Sequence, residues 1–261
     1  MSRLKLLVNY LKYYFSSTNQ HGVHSPFVFN LITEVIYNKT PYYSYTEVAS
    51  VRKAMLADKR VINVTDLGAG SKVNSSKMRS VSGIARHSGK AERYGQLLFR
   101  LVNYFQPSTM LELGTSLGLS TLYQASARRS GRMITIEGCT EIAEIARENI
   151  SQLKLDNVEL ITGNFDDVLP AALKSLGSID YAFFDGNHRK APTLNYFEEA
   201  LKYAHNDSVF IFDDIHWSDE MEEAWEAIKA HPQVTVTVDL FFMGLVFFRK
   251  EQREEHFAVR F

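Results

Sequence analysis

From Glu92 onward, apolar runs of four to seven residues alternate with amphipathic stretches of helix length, and that alternation leaves few folds open. The runs are MLEL (110–113), MITIE (133–137), VELIT (158–162), IDYAFFD (179–185) and SVFIFDD (208–214). Strands apolar almost throughout are buried on both faces, and the stretches between them are long enough to cross back as helices. Both features predict a parallel sheet covered by helices on either side. Leu97, Leu98, Leu101, Val102 and Phe105 mark a helix that Pro107 ends, and Thr140 stands where it can cap the helix after the second run. That helix turns Ile142, Ile145, Ala146, Asn149 and Leu153 inward. Ser218 caps a last helix with Met221, Ala224, Trp225 and Ile228 on one face, and VTVTVDL and GLVFFRK read as a closing strand pair.

Residues 1–91 read differently, as a helical and irregular extension ahead of an α/β domain at 92–261. MSRLKLLVNYLKYYF has apolar residues at helical spacing, interrupted by Lys5, Asn9 and Lys12, and no small-residue cleavage site follows. An amphipathic helix packed on the domain or on a dimer partner fits better than a signal peptide or a membrane-surface helix. Ser25-Pro26 predicts a helix start, with Val28, Leu31, Ile32, Val35 and Ile36 on its inner face, and a second helix covers Glu47 to Ala57. Residues 67–91 carry Lys72, Lys77, Arg79, Arg86 and Lys90 without an acidic residue, and read as a solvated connection rather than an anion-binding lid. The extension is expected to act as a substrate lid or a dimer element.

Charge and cysteine content narrow the function classes. With 29 basic and 30 acidic side chains, no whole-molecule field draws this chain to nucleic acid. The single cysteine, Cys139, cannot form an internal disulfide, which suits a reducing cytoplasm. No apolar run is long enough to span a membrane.

In an open α/β sheet, ligands bind beyond the carboxyl ends of the strands. The first run ends in Glu112-Leu113-Gly114-Thr115-Ser116-Leu117-Gly118, and the second ends on Glu137, whose carboxylate can accept from both hydroxyls of a ribose. A dinucleotide site requires glycine where Ser116 stands, so a pyrophosphate is poorly served. Asp66-Leu67-Gly68-Ala69-Gly70 has a similar look but lacks a second strand ending in an acid about twenty residues on. We read it as a structural loop.

E-x-G-x-x-x-G at 112–118 resembles the first motif of class I S-adenosylmethionine-dependent methyltransferases. FQPSTMLELGTSLGLS and MITIEG are most similar to the catechol O-methyltransferase-type family and its bacterial small-molecule relatives. The resemblance continues in family order through GNFDD (163–167), FFDGNH (183–188) and FIFDDIHW (211–217), covering residues 92–250. It implies a Rossmann-like methyltransferase fold, with a mostly parallel seven-stranded sheet and an antiparallel C-terminal strand. It also implies cofactor roles: Glu112, Gly114, Ser116 and Gly118 at the methionine part, and Glu137 at the ribose with Gly138 and Cys139 beside it. Asn164, Phe165 and Asp166 would surround the adenine.

Methyl transfer to a hydroxyl needs a positioned nucleophile and a route for its proton. Asp185 ends one strand, and Asp213 and Asp214 end another. Their expected convergence would suit Mg2+ or a similar cation, with Asp185 also facing the cofactor. Where catechol-type enzymes carry a catalytic lysine this chain has His188, and where a sugar-methylating branch has an acid it has Asn187. His188 is therefore the candidate base. His216 and Trp217 are candidates for the wall of an acceptor pocket or for surface packing, and His21-x-x-His24 is read as structural rather than metal-binding. The expected function is methyl transfer from S-adenosylmethionine to a small-molecule acceptor. A non-catalytic S-adenosylmethionine-binding assembly or regulatory protein is the alternative, and a dehydrogenase ranks third.

Overall fold

A computed structural model describes residues 3–65, 77–87 and 91–261. The chain forms two units, one of residues up to Asn38 together with Gly177–Phe261, the other Lys39–Leu176. The first opens with α1 (Arg3–Ser16) and α2 (Pro26–Asn30), which runs on into a π-helical stretch, Leu31–Ile36. The Ser25 hydroxyl accepts from the Val28 amide, with Pro26 in the first turn, as the sequence predicts. Val28, Leu31, Ile32, Val35 and Ile36 are all buried.

The continuous unit holds α3 (Tyr43–Ala57), β1 (Val61–Asn63), β2 (Met78–Ser80), α4 (Val81–His87) and α5 (Glu92–Phe105). After these come β3 (Thr109–Leu113), α6 (Leu119–Ala127), β4 (Arg132–Glu137), α7 (Thr140–Gln152), β5 (Val158–Thr162) and α8 (Phe165–Leu176). β3, β4 and β5 pair in parallel, with Leu113 beside Ile136 and Glu137 beside Thr162, so their carboxyl ends are level. α5 stops where Gln106 takes a left-handed φ of 50° before Pro107. Cys139, not Thr140, occupies the cap of α7, and no side chain caps that end.

The expected connection at 67–91 is only partly a connection. Residues 66–76 and 88–90, including the Asp66–Gly70 motif, Lys72 and Lys90, lie outside the described residues. Between them, β2 pairs antiparallel with β1, and α4 buries Val81, Ile84 and Ala85. Those three fall at i, i+3 and i+4, a helical face too short to stand out in a Ser- and Gly-rich stretch. Arg60 ties the base of β1 to α7 through two bonds to Glu148, at 3.0 and 2.8 Å.

The discontinuous unit resumes with β6 (Ile179–Phe184), α9 (Lys190–Leu201), β7 (Ala204–Asp213), α10 (Asp219–Lys229), β8 (Val236–Asp239), β9 (Met243–Phe247) and β10 (Glu255–Ala258). β6 and β7 are parallel, and β9 is antiparallel to both β7 and β8, giving the antiparallel C-terminal element that the resemblance implies. The described residues thus supply eight strands to a mostly parallel central sheet with flanking helices, one more than expected. The extra strand, β10, pairs in parallel with β8. Its four residues, EHFA, show no alternation of apolar and polar positions, so periodicity does not reveal it; main-chain pairing makes it. On its far side Thr18 donates to the Ala258 carbonyl, which covers an edge otherwise open to another chain.

α10 has its Ser218 cap, with the hydroxyl accepting from the Met221 amide, and buries Met221, Ala224, Trp225 and Ile228. The Trp225 ring lies so close over β9 that a β-carbon on Gly244 would come within 2.6 Å of it. Gly244→Ala should therefore overpack this contact and lower unfolding stability by about 1–3 kcal/mol. Urea unfolding measures this, and an unchanged midpoint would show that the helix can shift.

Candidate functional site

In the continuous unit the site is built under and around the turn from Gly114 to Gly118. Three residues of the turn take left-handed backbone angles: Gly114 (98°), Ser116 (48°) and Gly118 (88°). The Gly114 and Thr115 amides both donate to the Ile136 carbonyl, at 3.0 and 3.2 Å, so the turn is fastened to the end of β4. Behind it, the Asn149 side-chain amide donates to the Leu117 carbonyl at 2.9 Å. A polar residue on the otherwise apolar inner face of α7 is the sequence signal for this contact.

Glu112 lies beneath the turn, with no exposed surface. Its carboxyl oxygens accept from the hydroxyl groups of Thr121 (2.5 Å) and Thr135 (2.6 Å) and from the Gln124 amide (2.7 Å). This side chain joins β3 to α6 and β4 from inside, whereas the sequence reading has it lining a cofactor. Burial raises its pKa above the ordinary glutamate value, against the lowering effect of hydrogen bonds from Thr121, Thr135, Ser120 and Gln124.

Glu137 stands at the carboxyl end of β4, half-buried. Its Oε2 accepts from the Ser116 amide at 2.8 Å and its Oε1 from the Cys139 amide at 2.9 Å. One carboxylate thereby bridges the glycine-bearing turn and the chain leaving β4. Gly138 is half-buried beside it, and Cys139 is buried, with its sulfur accepting from the Thr65 amide at 3.4 Å. The Asn63 amide donates to Glu141, so residues 63–65 lie against the start of α7. Sequence reasoning missed this segment, because β1 carries no motif. At the end of β5, the Asn164 carbonyl accepts from the Asp167 and Val168 amides and starts α8, Phe165 is half-buried and Asp166 is exposed. Glu112, Gly114, Ser116, Gly118, Glu137, Gly138, Cys139, Asn164, Phe165 and Asp166 thus all sit at the level carboxyl ends of β3, β4 and β5, Glu112 facing inward. An open cavity of about 510 Å3 lined by Arg129, Arg132, Asp156 and Glu159 lies at the opposite, amino ends of β4 and β5 and holds none of them.

In the discontinuous unit, Asp185 follows β6 and lies 3.6 Å from His188 Nε2, at the outer limit of an ion pair. Asn187, at a left-handed φ of 54°, donates to the Tyr196 hydroxyl and accepts from Arg189. Asp213 is buried at the end of β7. Asp214 takes a φ of 54° and donates its amide to the Phe242 carbonyl at 2.7 Å.

The expected convergence of Asp185, Asp213 and Asp214 on a cation is not found: among the described residues, no three His, Cys, Asp or Glu side chains are grouped to hold a metal ion. Successive residues at a strand end project to opposite sides, so an adjacent Asp pair does not by itself supply two ligands to one point. Asp185, Asp213 and Asp214 therefore do not form one three-carboxylate ligand set. His216 is a packing residue, wedged between Asp239 (2.8 Å) and Glu222 (3.3 Å) and stacked on Phe241. Burial favours its neutral form, but the two carboxylates outweigh that and raise its pKa. Trp217 is partly exposed, with its amide on the Asp214 carbonyl.

Residues 111–215 match the family model of a methyltransferase domain. That segment contains every candidate site residue from Glu112 to Asp214. A catechol O-methyltransferase of Niastella koreensis is 33% identical over 124 residues, 46% of this chain and 55% of the relative. The match therefore spans about half of that protein's length. Among solved structures, the O-methyltransferase from Bacillus cereus in complex with SAH is 24% identical with a TM-score of 0.54, covering 81% of this chain and 93% of that one. The O-methyltransferase TomG from Streptomyces achromogenes, in complex with SAM, is 21% identical with a TM-score of 0.56, covering 85% and 95%. The two structures share the fold. Together these similarities support the resemblance to class I S-adenosylmethionine-dependent O-methyltransferases.

A buried glutamate with a raised pKa stabilises the fold fully below its unfolded value, about 4.3, and loses that contribution as pH rises through the folded pKa. Replacing Glu112 by Gln removes this dependence. The stability of wild type minus that of Glu112→Gln should fall as pH rises from about 4 toward 8, measured by urea unfolding at a series of pH values. A difference independent of pH would mean that the carboxyl group does not titrate in this range.

Proposed function

We propose that this protein transfers a methyl group from S-adenosylmethionine to a hydroxyl oxygen of a small-molecule acceptor. The observation that carries the reading is the Glu137 carboxylate bridging the Ser116 and Cys139 amides at the head of the glycine-bearing turn. A carboxylate can accept several hydrogen bonds at once, and the ribose hydroxyls are assigned to this one as donors alongside the two amides. Gly114, Ser116 and Gly118 are assigned to the methionine part, Gly138 and Cys139 to the ribose surroundings, and Asn164, Phe165 and Asp166 to the adenine. Glu112 is assigned a positioning role, holding the turn from within. The methyltransferase domain match across these positions supports the assignment.

In the reaction, the acceptor oxygen attacks the sulfonium methyl carbon in line with the breaking carbon–sulfur bond, and S-adenosylhomocysteine leaves. His188 takes the hydroxyl proton, and the Asp185 carboxylate, 3.6 Å away, stabilises the imidazolium formed. No step runs through a cation, because Asp185, Asp213 and Asp214 are not grouped to hold one. The contact of residues 63–65 with Cys139 and α7 supports a covering role for the extension up to residue 91. The second reading is a cofactor-binding protein without catalysis. Turnover of labelled cofactor with a small-molecule extract separates the two readings.

Two measurements test the assignment. Glu137→Ala removes a charged acceptor from two backbone amides and from the ribose, each bond worth roughly 1.5–3 kcal/mol. Its affinity for S-adenosylhomocysteine by titration calorimetry should fall at least about tenfold. Unchanged affinity would overturn the cofactor site.

His188→Ala should lower kcat by about a hundredfold to ten-thousandfold while leaving cofactor affinity near wild type. Wild-type turnover should fall as pH drops and the His188 imidazole becomes protonated. Turnover abolished by chelator and restored by Mg2+ would replace His188 with a metal as the activator.

A further inference from the structure

α1 is held to its own unit along one side only. Lys5 donates to Asp219 at 2.6 Å, Asn9 donates to Glu222, and the Tyr13 hydroxyl donates to the Val259 carbonyl. Residues 5, 9 and 13 are one helical turn apart and form a single stripe, with Tyr10 beside it packing edge-on against Phe241. The opposite stripe is apolar and uncovered. Leu7 is 53% exposed, Leu11 45% and Phe15 80%, with Val8 and Tyr14 alongside. No charged residue interrupts this face.

Beside the uncovered face the charges are basic. Lys12 adjoins it, whereas Lys5 lies on the anchored side and is neutralised by Asp219. At the carboxyl end of α1, the Arg260 guanidinium lies 4.6 Å from the centre of the Tyr14 ring and donates to the Tyr14 and Ser17 carbonyls. Lys12 and Arg260 are both exposed. A second copy of this chain is a poor occupant, since a two-fold interface repeats the same surface and sets one basic margin against another. Anionic headgroups complement such a margin, and a surface of lipid chains accepts the face between. Fourteen residues are too few to span a bilayer but enough to lie in its interface.

We propose that α1 docks this protein on an anionic lipid surface, with Leu7, Leu11 and Phe15 entering the acyl boundary and Lys12 and Arg260 at headgroup level. The proposal is independent of the reaction assigned above. Its test is flotation of the full-length protein with vesicles of phosphatidylglycerol and phosphatidylcholine, or of phosphatidylcholine alone. The protein should float with the anionic vesicles, bind the neutral ones far less, and dissociate as salt is raised.

Leu11→Glu/Phe15→Glu alters only the uncovered face and should reduce binding at least tenfold, with the far-UV spectrum unchanged. Lys12→Gln should reduce it about fivefold, the worth of one basic residue near such a surface. Tyr43→Glu, at a residue 80% exposed on α3, serves as control and should change nothing. Equal binding to both vesicle types, no binding to either, or unimpaired binding by the double variant would overturn the proposal. So would a dimer in sedimentation that Leu11→Glu/Phe15→Glu converts to monomer, since a second copy would then cover the face.

Discussion

The carboxyl group of Glu112, sealed from solvent, gathers the hydroxyls of Thr121 and Thr135 and the amide of Gln124. β3, α6 and β4 meet on it. Burying a carboxyl group costs several kcal/mol unless its oxygens find donors, so the three partners must be in place together. The turn from Gly114 to Gly118 spans the short distance between β3 and α6, and its shape follows from where those two elements are held. Left-handed angles at three of its five positions are what such a short path requires, and two of the three are glycine.

Glu137 does at the surface what Glu112 does inside. It draws the Ser116 and Cys139 amides onto one carboxylate and aligns the turn with the chain leaving β4. For the cofactor proposed to bind there, groups already oriented would leave little ordering to oppose binding. The hydrogen bonds of Glu137 to the turn make it part of the framework. On the cofactor role proposed for it, affinity and local stability would be coupled at this residue.

The candidate residues fall in both units. Cofactor-assigned residues from Glu112 to Asp166 belong to Lys39–Leu176, while Asp185, His188, Asp213 and Asp214 belong to the unit completed by the first thirty-eight residues. The N-terminal region is itself divided at Asn38. Its first part packs through Lys5, Asn9 and Tyr13 on α10 and on the residue after β10, and its second part packs on α7 and Cys139. An extension that looks like one appendage in the sequence thus consists of two pieces with different neighbours.

The sequence by itself determined the alternating α/β order, the strands from Met110 to Asp213, the Ser25 and Ser218 caps and the acids and glycines at strand ends. These rest on local periodicity and on backbone preferences of single residues, which a linear reading captures. Only the tertiary structure decided that Glu112 faces inward, because its burial depends on partners nine, twelve and twenty-three positions away. It also decided that β10 exists, through main-chain pairing with β8 that leaves no apolar pattern, and that Asp185, Asp213 and Asp214 do not form a metal group. Strand-end position is legible from a sequence. The direction a side chain takes from that position depends on backbone angles such as the left-handed φ at Asp214 and on contacts from distant segments, and neither is written in the local pattern.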